Sequence, residues 1–217
     1  HGIDAFDTVD AVRLYVGGLP QVPEPPLGYQ IAYSIEGMVD YYTTPSLVLR
    51  HGQPATVEAL SELETVEFAG PVGTLEAFHT AGGLSTMAYR YAGRIPTMEY
   101  KTLRYPGHAA IMRSIRDLGL LDTGVVDVKG QDVVPRDVFV KVAGDRLRKG
   151  KPDVVALRVQ VTGTRDGVTS TRAWEVVDRY DAAHGLTAMM RTTGFTLSIT
   201  GQLQASGAVP PGVHTPD

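Results

Sequence analysis

Two long β-rich runs, Asp153–Gly163 and Val168–Tyr180, are joined by Thr164-Arg-Asp-Gly167, and this unit constrains the fold more than any other stretch. Asp-Gly suits a tight hairpin turn, in which both central residues take positive φ. The pair therefore predicts a long antiparallel ribbon. A ribbon does not persist alone in water, so its apolar face needs a covering layer. The last helix candidate, Thr192 to Ala205, is expected to supply that cover, although Gly194 and Gly201 lower its propensity.

The remaining chain alternates short strands with a few helices. Ala11–Val16 reads as a strand that Gly17-Gly18-Leu19-Pro20 breaks. Ser34 is placed to cap a short helix running to Tyr42. Leu47–Arg50, Thr56–Ala59, Thr65–Phe68 and Thr86–Tyr91 read as short strands or extended loops. Thr97–Tyr105 is a clearer strand. After a Pro-Gly break, Ile111, Met112, Ile115 and Leu118 recur at helical spacing, with Gly119 as the stop. Pro135 and Gly150 bracket another helix, Pro135–Lys149. The expected fold is α+β, with a mixed, largely antiparallel sheet and helices on one face. The 217 residues suit one domain, 1–217.

A formal charge of -4, from 20 basic and 24 acidic side chains without blocks, gives no electrostatic footing for nucleic acid. No stretch approaches the roughly 20 apolar residues that span a bilayer. Residues 1–10 carry no leader-like pattern, so a cytoplasmic protein is expected. The chain has no cysteine, which removes disulfides, thiolate nucleophiles and zinc-thiolate sites. Histidines at metal-ligand spacing are also missing, so no metal is expected. His79 and His51 each precede turn-like residues and are expected to be exposed. No Gly-x-Gly-x-x-Gly or Walker pattern occurs. A nicotinamide cofactor, if used, is therefore expected to be held mainly by residues outside this chain.

Four segments carry a resemblance. They are Tyr15-Val-Gly-Gly-Leu-Pro20, Gly28-Tyr-Gln-Ile-Ala-Tyr-Ser-Ile-Glu-Gly37, Thr102-Leu-Arg-Tyr-Pro-Gly-His108 continuing into Ile111–Leu121, and Met190-Arg-Thr-Thr-Gly-Phe195. Taken in order, they resemble the C-terminal domain of the saccharopine dehydrogenase-like family across nearly the whole chain. The Arg-Tyr-Pro-Gly-His and Arg-Thr-Thr-Gly-Phe forms lean toward lysine 6-dehydrogenase. The resemblance implies a fold like the C-terminal domain of glyceraldehyde-3-phosphate dehydrogenase. It also implies a separate Rossmann domain for NAD or NADP, an amino-acid substrate in the cleft between the domains, and a homodimer. Saccharopine or carboxynorspermidine dehydrogenases share the scaffold, and a free-standing binding module is the non-enzymatic alternative.

The same resemblance marks site residues. Arg104 matches a family arginine that meets the substrate carboxylate, a task suited to its planar fork of donors. It could equally form a structural ion pair. Tyr105 and His108 follow at a strand end, where ligand contacts concentrate. His108 is the candidate proton carrier, or a cap for the next helix. Ser34 matches a pocket serine and is also an N-cap. Arg191, Thr192 and Thr193 are expected at a helix start, where free N–H groups favour an anion or a cap.

Overall fold

A computed structural model describes residues 1–31 and 34–214. Ala32 and Tyr33, within the Gly28–Gly37 segment, lie outside the described residues. The long ribbon is β9 (Asp153–Arg165) and β10 (Val168–Arg179), turned by Asp166 and Gly167 at φ 51° and 76°. Beside β9 lies β1 (Thr8–Pro20), paired antiparallel, and beside β1 lies β6 (Thr97–Arg104), paired parallel. Two hairpins share the other edge of β6. β2 (Ser46–Arg50) with β3 (Gln53–Val57) meets it at Met98, and β5 (Gly73–Phe78) with β4 (Glu64–Phe68) meets it from Thr102 to Arg104. The strand order is β10-β9-β1-β6-β2-β3, with β5 and β4 branching from β6. The sheet is mixed and largely antiparallel, as expected.

Strand alternation sorts β6 into two faces. Met98, Tyr100, Thr102 and Arg104 point one way, and Glu99, Lys101 and Leu103 the other. Leu103 packs with Tyr15, Leu19, Val66 and Leu75, so the β4–β5 hairpin closes that face. The opposite face carries the helices. Met98 and Tyr100 pack with Leu84, Ala88 and Ile95 around α2 (Met87–Arg90). Beyond them, Phe78 joins a helical core of α1 (Ile35–Thr43), α3 (His108–Asp117) and α4 (Pro135–Leu147) through Val39, Tyr42, Met112 and Leu147. Two valine-bearing strands, β7 (Val126–Val128) and β8 (Gln131–Val133), form a small separate hairpin.

Three expectations need correction. Gly17 and Gly18 do not end the first strand but run inside it. A Cβ on Gly17 would sit 2.6 Å from the Leu103 carbonyl oxygen, and one on Gly18 2.7 Å from Met189 Sδ. At Gly17 the obstacle is backbone, so only glycine allows the approach, whereas at Gly18 the Met189 side chain would have to move. Within residues 86–91, Met87–Arg90 form α2 rather than a strand, because Met87 and Ala88 pack as a helical turn under the sheet. The last helix, α5 (Ala188–Ala205), begins four residues early and covers the ribbon incompletely. Its Phe195, Leu197 and Ile199 recur at every second position, which scatters them around a helix, and they remain 55%, 74% and 58% exposed.

These packing limits set a test. Gly17→Ala should lower unfolding free energy by about 1–3 kcal/mol in urea titration, through overpacking against β6. Gly194→Ala, in open space within α5, should raise it by about 0.5–1 kcal/mol. Equal effects at the two positions would refute the close β1–β6 approach.

Candidate functional site

A groove of about 300 Å³ opens on the helical face at the ends of β1 and β6. Gly17 and Gly18 floor one side, Thr102 and Arg104 the other, and Thr80 to Gly82, Tyr41, Tyr100 and Met189 form the walls. Thr80 and Thr102 hydroxyls lie 2.8 Å apart, and the Tyr100 hydroxyl is 3.2 Å from Thr102. The site thus combines the buried Arg104 guanidinium, the hydroxyl-bearing side chains of Tyr41, Thr80, Tyr100 and Thr102, and a glycine floor without side chains.

Arg104 is 5% exposed. Its Nε donates to the Tyr42 hydroxyl at 3.2 Å and its Nη1 donates to the Leu103 carbonyl at 2.8 Å. The Tyr29 ring lies beneath the guanidinium, 4.7 Å from centroid to Cζ. Such a cation–π contact partly offsets the loss of water. Glu76, the register partner of Arg104 on β5, directs its carboxylate to the backbone N–H groups of Gly107 and Ala109 at the start of α3.

His108 does not open onto the groove. It is 1% exposed, the first residue of α3, and sits behind Arg104 with both ring nitrogens engaged. Nδ1 donates to the Leu27 carbonyl at 3.0 Å, and Nε2 lies 2.8 Å from the Tyr42 hydroxyl. Burial first, and then the Arg104 charge, push its pKa down to about 3. Burial likewise pushes the Tyr42 phenol up to about 12. Both groups are therefore neutral at physiological pH. The cap of α3 is Glu76, and His108 does not serve as one.

The other expected site residues lie elsewhere. Tyr105 donates its hydroxyl to the Pro20 carbonyl at 2.9 Å. Ser34 caps α1, accepting from the Gly37 N–H at 3.2 Å, and is exposed. Arg191, Thr192 and Thr193 lie past the first turn of α5, so the free N–H groups expected there belong to earlier residues. Those of Ala188 and Met189 are taken by the buried Asp153 carboxylate at 2.7 and 3.0 Å. Arg191 faces Asp178 at 3.5 Å and Asp181 at 3.8 Å, and Thr192 bonds back to the Ala188 carbonyl.

Thr80, Thr102 and Tyr42 were not legible as site residues. A hydroxyl-bearing residue beside an apolar run carries no marker in one sequence. His79, expected in an exposed turn, is fully buried. Its Nδ1 lies 3.2 Å from the Tyr100 carbonyl oxygen and its Nε2 lies 3.1 Å from a Glu62 carboxylate oxygen. Glu62, His79 and Glu99 bring ligand-type atoms within 4.8 Å of one another. Arg50 bridges both carboxylates at 2.8 Å and Arg13 meets Glu99 at 2.9 Å, so the two carboxylates already face two of the chain's own cations. Burial pushes the His79 pKa down. Burial opposes the shift at Glu62, but the His79 hydrogen bond and Arg50 hold that carboxyl below its usual range.

The buried His108 ring sets a pH dependence. Its folded pKa, about 3, lies below the ordinary value of 6.5. The unfolded chain therefore takes up the proton first, and the neutral ring's contribution to stability, complete above pH 6.5, is lost as pH falls toward 3. His108→Gln should flatten the fall in unfolding free energy between pH 6.5 and 4, measured by urea denaturation. An unchanged slope would assign the pH dependence to other groups.

Comparisons with known proteins agree with this architecture. The model of the saccharopine dehydrogenase C-terminal domain matches residues 1–217. The fold superposes on apo histidine-tagged saccharopine dehydrogenase (L-Glu forming) from Saccharomyces cerevisiae with a TM-score of 0.72 at 18% identity. The match covers 94% of this chain and 60% of that one, so the chain spans well under the full length of that relative. Sequence identity that low speaks to the fold, while the family model speaks to descent. The chain belongs to the saccharopine dehydrogenase C-terminal domain family.

Proposed function

We propose that this chain is the substrate-binding half of an NAD(P)-dependent amino-acid dehydrogenase, and that Arg104 anchors the substrate carboxylate in the groove between β1 and β6. One observation carries the reading. The expected carboxylate-binding arginine lies, nearly buried, in a groove of small-molecule size, beside the hydroxyls of Thr80, Thr102 and Tyr100. A low-dielectric wall strengthens the charge-assisted pairing of guanidinium with carboxylate. The glycine floor lets a ligand approach the backbone closely.

Among the described residues, the starts of α3 and α5 do not suit a dinucleotide. A helix start with free N–H groups is a ready site for a pyrophosphate. Here α3 and α5 already turn their first N–H groups to Glu76 and Asp153, whose negative charge would repel a phosphate. The cofactor is accordingly assigned to residues outside these 217. The role of this chain is to bind the amino acid and hold its carboxylate.

Lysine is the first choice of substrate, on the Arg104-Tyr-Pro-Gly-His108 and Arg191-Thr-Thr-Gly-Phe195 forms. A saccharopine-type substrate is the second reading, supported by the family match. The partly uncovered α5 and β10, with Trp174 43% and Leu197 74% exposed, favour a homodimer.

Arg104→Lys keeps the charge and loses the planar fork. In the full-length protein it should raise the dissociation constant for the amino acid roughly tenfold or more, a loss of about 1.4 kcal/mol or above. Titration calorimetry with L-lysine and with saccharopine checks this and separates the two substrate readings. Unchanged affinity for both would remove Arg104 from the site.

A further inference from the structure

We infer that Tyr42 and His108 are positioning residues, which fix the plane of the Arg104 guanidinium through a one-way chain of hydrogen bonds anchored on the Leu27 carbonyl. The inference rests on the assignment of the groove to a carboxylate and extends it to groups that never touch the ligand.

Proton placement follows from chemistry at each link. A carbonyl only accepts, so His108 Nδ1, 3.0 Å from the Leu27 oxygen, carries the ring proton. The ring is neutral, so Nε2 only accepts, and the Tyr42 hydroxyl at 2.8 Å must donate to it. The phenol has one proton and has spent it. Its oxygen therefore turns lone pairs toward Arg104, whose Nε–H donates at 3.2 Å. No link can be reversed while the ring stays neutral, so the hydroxyl has a single orientation.

The surroundings fix the links in space. Tyr42 and His108 are each 1% exposed. Tyr29 meets the His108 ring edge-on at 5.5 Å and also supports the guanidinium from below. Phe78 stacks on His108 at 6.3 Å. A chain that served burial alone could end on any donor. This one ends on Nε, the atom about which the guanidinium plane swings, while the same side chain lines the groove. Holding that plane before the ligand arrives removes the cost of immobilising a long side chain, worth up to roughly tenfold in affinity.

The test uses the full-length protein, L-lysine and saccharopine as probes, and four variants. Tyr42→Phe removes only the hydroxyl. His108→Gln keeps an acceptor for Tyr42, whereas His108→Leu removes it. Arg104→Lys reports on the groove itself. The expected result is a KM about tenfold higher for Tyr42→Phe and His108→Leu, with kcat within about twofold and substantial rescue in His108→Gln. Nitrogen-15 NMR should show His108 protonated at Nδ1 alone, and faster exchange of the Arg104 Nε–H in Tyr42→Phe. If Arg104→Lys weakens binding while folded Tyr42→Phe keeps wild-type KM and Nε–H exchange, the positioning role is overturned and the groove stands. If Arg104→Lys also leaves both probes unaffected, or neither probe binds, the groove assignment falls and the positioning role with it. Should Tyr42→Phe fail to fold, the contrast between His108→Gln and His108→Leu decides: equal KM in the two overturns the inference.

Discussion

A guanidinium cannot escape burial by losing its proton, so a structure that buries one must build partners around it. Arg104 ends the central strand β6 at 5% exposure, and the neighbouring elements are arranged accordingly. Tyr42 of α1 accepts from its Nε, Leu103 from its Nη1, and Tyr29 lies under its π-accepting face. These contacts require α1, α3 and the 27–29 segment to converge on one corner of the sheet. That convergence also assembles the apolar core shared by Tyr42, Phe78, Ala109 and Met112. The cation and the hydrophobic core are thus set by the same packing.

Two helices are attached to the sheet by one device. Glu76 on β5 receives the first N–H groups of α3, and Asp153 at the start of β9 receives those of α5. Each carboxylate satisfies donors that a helix start would otherwise bury unpaired, and each complements the helix dipole. Both acids are buried, Glu76 at 7% and Asp153 at 4% exposure.

Much of the fold was legible because its signals are local. The Asp166-Gly167 turn, Ser34 as N-cap, Gly119 past α3 and Pro135 at the start of α4 all act within a few residues of themselves. What failed depends on contacts distant in sequence. Gly17 and Gly18 resemble a break until β6 and Met189 approach them from about 86 and 171 residues away. β5 was invisible because Glu76 and Ala77 are poor strand formers, held there by pairing with Arg104 and Leu103. Arg104 could be named from its motif. The roles of Tyr42 and Thr80 could not, because the motif says nothing of what folds back against it.

The most direct measurement is a crystal structure of the protein soaked with its amino-acid substrate. The account predicts ligand density over Gly17 and Gly18, with a carboxylate paired to the Arg104 guanidinium and within reach of the Thr80 and Thr102 hydroxyls. A ligand seated elsewhere, or one whose carboxylate meets the α5 start and leaves Arg104 behind its wall, would contradict it.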